Sequence, residues 1–177
     1  NTGEMYLTVK NTAAPANVGL AIGTTTMTSN FINNGIIDID GGVSSMGRAV
    51  FVYPDAAEAT TLTNNGLITV RNGNPNNLFF NRGITINSPT GTINTGNGRI
   101  NVNQNTFINN GLVVSNHPGL PGVFTNMMGN STNDGFFRTN SSLFSNGPGN
   151  ITNNGINMND PAQTTIDLGG NCNVTIG

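Results

Sequence analysis

The stretch Phe31-Ile-Asn-Asn-Gly-Ile-Ile-Asp-Ile39 decides how this chain is read, because it comes back. It recurs as Leu62-Thr-Asn-Asn-Gly-Leu-Ile-Thr-Val70, as Phe107-Ile-Asn-Asn-Gly-Leu-Val-Val114 and as Ile151-Thr-Asn-Asn-Gly-Ile-Asn-Met158. Looser copies are Phe80-Asn-Arg-Gly-Ile-Thr-Ile86, Thr90-Gly-Thr-Ile93 and Thr132-Asn-Asp-Gly-Phe-Phe137. Each copy is a short strand, a polar pair, a glycine and a second, alternating strand. Internal repetition of one supersecondary unit is the signature of a stacked architecture.

The glycines of these copies stand at 35, 66, 83, 91, 111, 135 and 155, so the gaps are 31, 17, 8, 20, 24 and 20 residues. In a solenoid every coil turns its corner at the same place, which accounts for the same turn chemistry at such intervals. The corner residues are then Asn34 and Gly35, Asn65 and Gly66, Asn110 and Gly111, and Asn154 and Gly155. Glycine takes positive φ freely and asparagine tolerates it, which is the reason offered for both at a corner. Asparagines stacked from coil to coil can also bond one another. Asn-Gly between alternating apolar runs is a hairpin signal as well, so an antiparallel meander or β-sandwich is the alternative. The uneven gaps suit coils of about 20–25 residues, seven or eight of them at about 4.8 Å each, with bulges at 117–129 and 55–59. Parallel crossovers give the coil a right-handed sense by general rule.

Composition agrees. Asn, Gly and Thr number 34, 24 and 23 of 177 residues. All three weaken helices, and no long segment has a 3.6-residue apolar period. Ile and Val outnumber Leu 26 to 9, which favours strands. Leu, Ile, Val and Phe make up 44 residues, and the net charge is only −2, so the chain is not of the disordered class. The reading is a single all-β domain over residues 1–177, a right-handed parallel β-solenoid or β-helix. Inward positions after the corners are Ile37 and Ile39, Ile68 and Val70, Ile84 and Ile86, and Ile100 and Val102. Their alternates Asp38, Thr69, Thr85 and Asn101 face water on this period of two.

Charged residues are 8% of the chain, six basic against eight acidic, which leaves no electrostatic footprint for nucleic acid. No apolar run is long enough for a membrane helix, so no membrane insertion by this segment is expected. One His and one Cys give little material for catalysis or metal binding. His117, before Pro118 and Gly119, reads as an exposed loop residue. Cys172 reads as a small buried side chain, the sharper alternative being a thiol that joins two subunits. Asp38 and Asp40 lie two apart on one strand face and read as solvated charge, with Ca²⁺ binding or glycoside hydrolysis as the sharper readings. The arginines at 48, 71, 82, 99 and 138 are scattered, so a polysaccharide-acting enzyme is a distant third reading. No cofactor and no metal are expected. Thr24-Thr25-Thr26 with Thr60 and Thr61 raises ice binding, but these threonines drift relative to the corners, and the reading is set aside. Tyr53, Phe79, Phe80, Phe136 and Phe137 offer aromatic contacts at loop edges, or serve as core strand residues.

The first and last segments carry no cap. Met5, Leu7 and Val9 alternate as a strand, and so do Ile166 with Leu168 and Val174 with Ile176. An uncovered coil offers backbone to any other strand, and a contact of first coil on last does not close, so it grows a filament. These seven residues are the candidate stacking set. If the chain is an excerpt, the open ends mark where neighbouring coils were removed. The absence of an initiator Met fits a processed or excised start.

The run from Asn33-Asn-Gly-Ile-Ile-Asp-Ile-Asp-Gly-Gly to Ser45-Met-Gly-Arg-Ala-Val-Phe-Val52, followed by Thr61-Leu-Thr-Asn-Asn-Gly66, resembles the passenger repeats of bacterial autotransporter-type surface adhesins. The likeness spans residues 17–160. It implies a secreted right-handed parallel β-helix displayed at a bacterial cell surface. Those passengers are longer and are followed by a membrane barrel, which points to an excerpt or to a small secreted solenoid. The expected role is that of an extracellular structural or adhesive element without catalysis, a subunit or segment of a surface fibre that self-associates end to end. The alternative is a module whose side faces and loops bind a glycan or a partner cell surface.

Overall fold

The computed structural model describes residues 1–8, 18–24, 26–40, 48–53, 60–72, 79–96, 98, 100–102, 105–115, 124–125, 130–139, 143–145, 150–154, 157–158, 166–168 and 173–176. Among them the chain is all β, with no helix. It runs through twenty-one strands in groups of three. The first group is β1 (Glu4–Thr8), β2 (Val18–Ile22) and β3 (Asn30–Asn33), and the second is β4 (Ile36–Asp40), β5 (Arg48–Val52) and β6 (Thr61–Asn64). The third is β7 (Leu67–Arg71), β8 (Phe79–Asn81) and β9 (Ile84–Asn87), and the fourth β10 (Thr92–Asn94), β11 (Ile100–Val102) and β12 (Thr106–Asn109). The fifth is β13 (Leu112–Ser115), β14 (Phe124–Thr125) and β15 (Asn130–Asn133), and the sixth β16 (Phe136–Thr139), β17 (Leu143–Ser145) and β18 (Asn150–Asn153). The last is β19 (Asn157–Met158), β20 (Ile166–Leu168) and β21 (Asn173–Ile176).

Among the described residues each strand pairs with the strand three places on, except β14 with β17. The first sheet has the order β1-β4-β7-β10-β13-β16-β19, the second β2-β5-β8-β11-β14, and the third β3-β6-β9-β12-β15-β18-β21, while β17 and β20 form a separate pair. All these pairings are parallel, for example Met5 opposite Ile37 and Ile37 opposite Ile68. A hairpin needs antiparallel neighbours, so the meander and β-sandwich alternative is excluded. The chain visits three sheets in turn and returns to the first one strand further along. We call each such circuit a rung. The arrangement is compatible with a β-solenoid.

The core runs down the middle in columns of registered side chains. From the first sheet come Met5, Ile37, Ile68, Ile93, Val113 and Phe137. The second supplies Leu20, Val50, Phe79 and Ile100, and the third Phe31, Leu62, Thr85, Phe107 and Ser131. Phe79 and Phe107 meet edge to face with centroids 6.0 Å apart, the geometry that aromatic quadrupoles prefer.

Several expectations need correction. The repeating asparagine is spaced by 32, 31, 23, 22 and 24 residues, so the first two rungs exceed the expected 20–25. Ile84 and Ile86 do not point inward. Thr85 is buried and the two isoleucines are half-exposed, because Asn87 is fixed inside and parity carries Thr85 with it. Asn101 is likewise buried rather than facing water. The segment 117–129, expected as a bulge, contains β14, which joins the second sheet beside β11. The 55–59 bulge lies outside the described residues.

Candidate functional site

The feature most repeated in the molecule is the corner where the third sheet hands the chain back to the first. There Asn33, Asn64, Asn87, Asn109 and Asn133 turn inward and are buried. Asn1 donates from Nδ2 to Asn33 Oδ1 at 3.0 Å, Asn33 to Asn64 at 2.8 Å, Asn64 to Asn87 at 2.8 Å, Asn87 to Asn109 at 2.7 Å and Asn109 to Asn133 at 2.7 Å. The second amide proton is used as well. Asn33 Nδ2 reaches Leu67 O, Asn64 reaches Thr92 O, Asn87 reaches Leu112 O and Asn109 reaches Phe136 O, each one rung further on. A carboxamide carries acceptor and donors in one plane, so it can receive from the rung before and give to the rung after. Bonds chained in this way polarise one another in a low-dielectric interior.

The corner residues singled out from sequence, Asn34, Asn65, Asn110 and Asn154, are the second asparagines, and they lie on the outer side of the same turn. Asn65 Nδ2 donates to Asn34 Oδ1 at 2.7 Å, and Asn154 Nδ2 to Asp134 Oδ1, both in exposed positions. At the close of the third rung Ser88 Oγ donates to Asn64 O instead. The inner ladder was missed although a signal existed: an asparagine two before the corner glycine recurs at Gly35, Gly66, Gly111 and Gly135, and in Asn1-Thr2-Gly3 at the start, while at Gly91 the asparagine stands four before.

Gly35, Gly66, Gly91, Gly111 and Gly135 stack at this corner, and none has a positive φ. The reason for glycine is therefore closeness, not handedness. A Cβ on Gly66 would lie 2.1 Å from Gly35 O, one on Gly111 2.2 Å from Gly91 O, and one on Gly135 2.2 Å from Gly111 O. Gly83, grouped with them by sequence, sits instead between β8 and β9, at the corner from the second sheet to the third. There Asn81 Nδ2 bonds Gly83 O at 2.9 Å, the same local device reused. Gly155 lies outside the described residues.

Met5 and Leu7 are half-buried in β1, which pairs on one edge with β4, and they pack against the core. Ile166 and Leu168 belong to β20, and Val174 and Ile176 to β21, at the far ends of their sheets. The candidate stacking residues therefore fall at the two ends of the rung order. Val9, Cys172 and His117 lie outside the described residues.

Asp38 and Asp40 do not form an open carboxylate pair. Asp38 takes a two-pronged contact from Arg71, Nε to Oδ1 at 3.0 Å and Nη2 to Oδ2 at 2.8 Å, while Asn72 Nδ2 donates to Asp40 Oδ1 at 2.9 Å. The Asp38 carboxylate holds the Arg71 guanidinium above its ordinary pKa. Among the described residues no three His, Cys, Asp or Glu side chains come together, and no helix is long and apolar enough to cross a membrane. Of the aromatics, Phe79 and Phe137 are buried, and Tyr53 packs on Phe51 at 3.9 Å between centroids. Phe136 and Tyr6 project outward from the first sheet, 59% and 68% exposed. Tyr6 donates its phenolic hydrogen to Glu4 Oε2 at 2.8 Å, and that bond raises the Tyr6 pKa above 10.0. Comparison with family models, curated proteins and solved structures finds no match to this chain.

Proposed function

We propose that this chain is a right-handed parallel β-solenoid, an extracellular structural or adhesive element without catalysis. Its role is that of a subunit or segment of a bacterial surface fibre, with self-assembly by rung on rung. The observation that carries this reading is the repetition of one contact. The bonds that join Asn33 to Asn64 join each later pair in the ladder. A rung is therefore complementary to a copy of itself, and a contact that repeats by translation does not close.

The experiment rests on Gly3. A Cβ at Gly35 would lie 2.0 Å from Gly3 O, on the side of the preceding rung, whereas nothing lies within 4 Å of a Cβ on Gly3. Gly3→Ala thus leaves the rungs of one molecule intact and obstructs another molecule stacking on β1. Negative-stain microscopy of the purified chain at rising concentration, with intact mass recorded, reads the outcome. Fibres of uniform width from the unmodified chain and short rods from the variant support the reading. Short rods from both, or fibres from both, overturn it.

A second reading has its own observation, the exposed Phe136 and Tyr6. Half-exposed Ile36, Leu67 and Leu112 lie in the same outward row as Phe136. Such a row fits a glycan or a partner surface. A Phe136→Ala variant that binds a glycan array as the unmodified chain does removes this support.

A further inference from the structure

The outward face of the third sheet carries a row of side chains that belongs to no contact described so far. One residue before each ladder asparagine from Asn33 on stand Ile32, Thr63, Ile86, Ile108 and Thr132, and Thr152 continues the row. Strand pairing puts each opposite the next: Ile32 with Thr63, Thr63 with Ile86, Ile86 with Ile108, Ile108 with Thr132 and Thr132 with Thr152. Every member is β-branched, so each χ1 is restricted and the methyl groups hold their places. Ile32 is 51% exposed and the others are half-exposed. The hydroxyls of Thr63, Thr132 and Thr152 make no hydrogen bond with another described residue. Parallel strands set the repeat along the row at about 4.8 Å.

The second outward row of this face is Asn30, Thr61, Ile84, Thr106 and Asn130. Neither row contains a charge or an aromatic ring. A sugar polymer is gripped by aromatic stacking and by planar amide or carboxylate forks, and the first row has neither. Uniform methyls with interspersed hydroxyls, repeated at one short interval, order water instead: methyls restrict the first-shell molecules and hydroxyls bond them in place.

We propose that this face binds ice, with the row from Ile32 to Thr152 matching the repeat of water molecules along a crystal plane. Of the threonines at 24–26 and 60–61, Thr61 stands in the second outward row of this face, and Thr60 is buried. Thr63, Thr132 and Thr152 do not drift; each stands three residues before its corner glycine. The proposal is independent of fibre assembly, because Gly3 lies off this face.

The test is growth of a single ice crystal in the purified full chain, reading both incorporation into ice and crystal shape. Thr63→Tyr and Ile108→Lys alter the face, and Thr69→Tyr alters the outward side of the first sheet; circular dichroism confirms that each variant folds. The unmodified chain and Thr69→Tyr are expected to enter and shape the ice, and the two face variants to lose both effects. Exclusion of the unmodified chain from ice overturns the proposal. So does equal loss in Thr69→Tyr, or retention of a chain on crystalline cellulose or chitin that ice rejects.

Discussion

The carboxamide of Asn33 donates to that of Asn64 at 2.8 Å across 31 residues of chain, and both side chains are fully buried. Asn64 passes the bond on to Asn87 and also holds Gly66 O and Thr92 O. Replacing Asn64 by Ala leaves Asn87 Oδ1 without its donor and Asn33 Nδ2 without its side-chain acceptor, while Gly66 O keeps only the Thr92 N–H. A buried polar group without a partner costs about 1–3 kcal/mol, so Asn64→Ala is expected to destabilise the chain by at least about 2 kcal/mol in urea unfolding. Asn65→Ala, one residue on, removes an exposed bond and is expected to change stability by about 0.5 kcal/mol or less. Equal costs at the two positions would show that the inner ladder has no special weight.

Gly66 and Gly3 occupy the same corner in different rungs, and they separate packing from backbone conformation. An alanine Cβ at 66 meets Gly35 O at 2.1 Å and Gly35 N at 2.9 Å, both backbone, so the rungs must part. Overpacking of this kind costs about 1–3 kcal/mol or more. At Gly3 the same change meets nothing within 4 Å. Thermal unfolding of dilute samples is expected to show a large loss of Tm for Gly66→Ala and almost none for Gly3→Ala. Were the glycines needed for positive φ, both would suffer alike.

The fold was legible because its corner is local: two strands, two polar residues and a glycine lie within nine residues of sequence. What failed was parity. Ile84-Thr85-Ile86 reads as apolar-in on hydrophobicity alone, yet Thr85 is inside, where its hydroxyl donates to Asn81 Oδ1 at 2.7 Å. Thr85 stands in the buried column between Leu62 and Phe107. The inner asparagine sets which residues face inward, and a carboxamide is the residue that hydrophobic patterning places outside. The stacked rows on the third sheet were hidden for a related reason: a row is made of residues more than twenty apart, and only strand register brings them together.

That parity gives a paired expectation. Ile86→Thr changes a half-exposed outward residue and is expected to alter stability by about 0.5 kcal/mol or less. Thr85→Val keeps the shape but removes the donor to Asn81, leaving a buried acceptor unsatisfied. The expected loss is about 1–3 kcal/mol, read by urea unfolding. A cost at 86 and none at 85 would reverse the assignment of inward and outward faces.

Tyr6 provides a pH test on the first strand. Its phenol is exposed and donates to Glu4 Oε2, so ionising the phenol breaks the bond and sets two negative charges side by side. The folded pKa is raised above the ordinary phenol value. The sign follows: the bond's support of β1 is fully present below the unfolded pKa and is lost as pH rises through the raised folded value. Phenolate absorbance of a Tyr53→Phe variant isolates Tyr6, and Glu4→Gln in that background is expected to lower its midpoint. An unchanged midpoint would mean that the raised value does not come from Glu4.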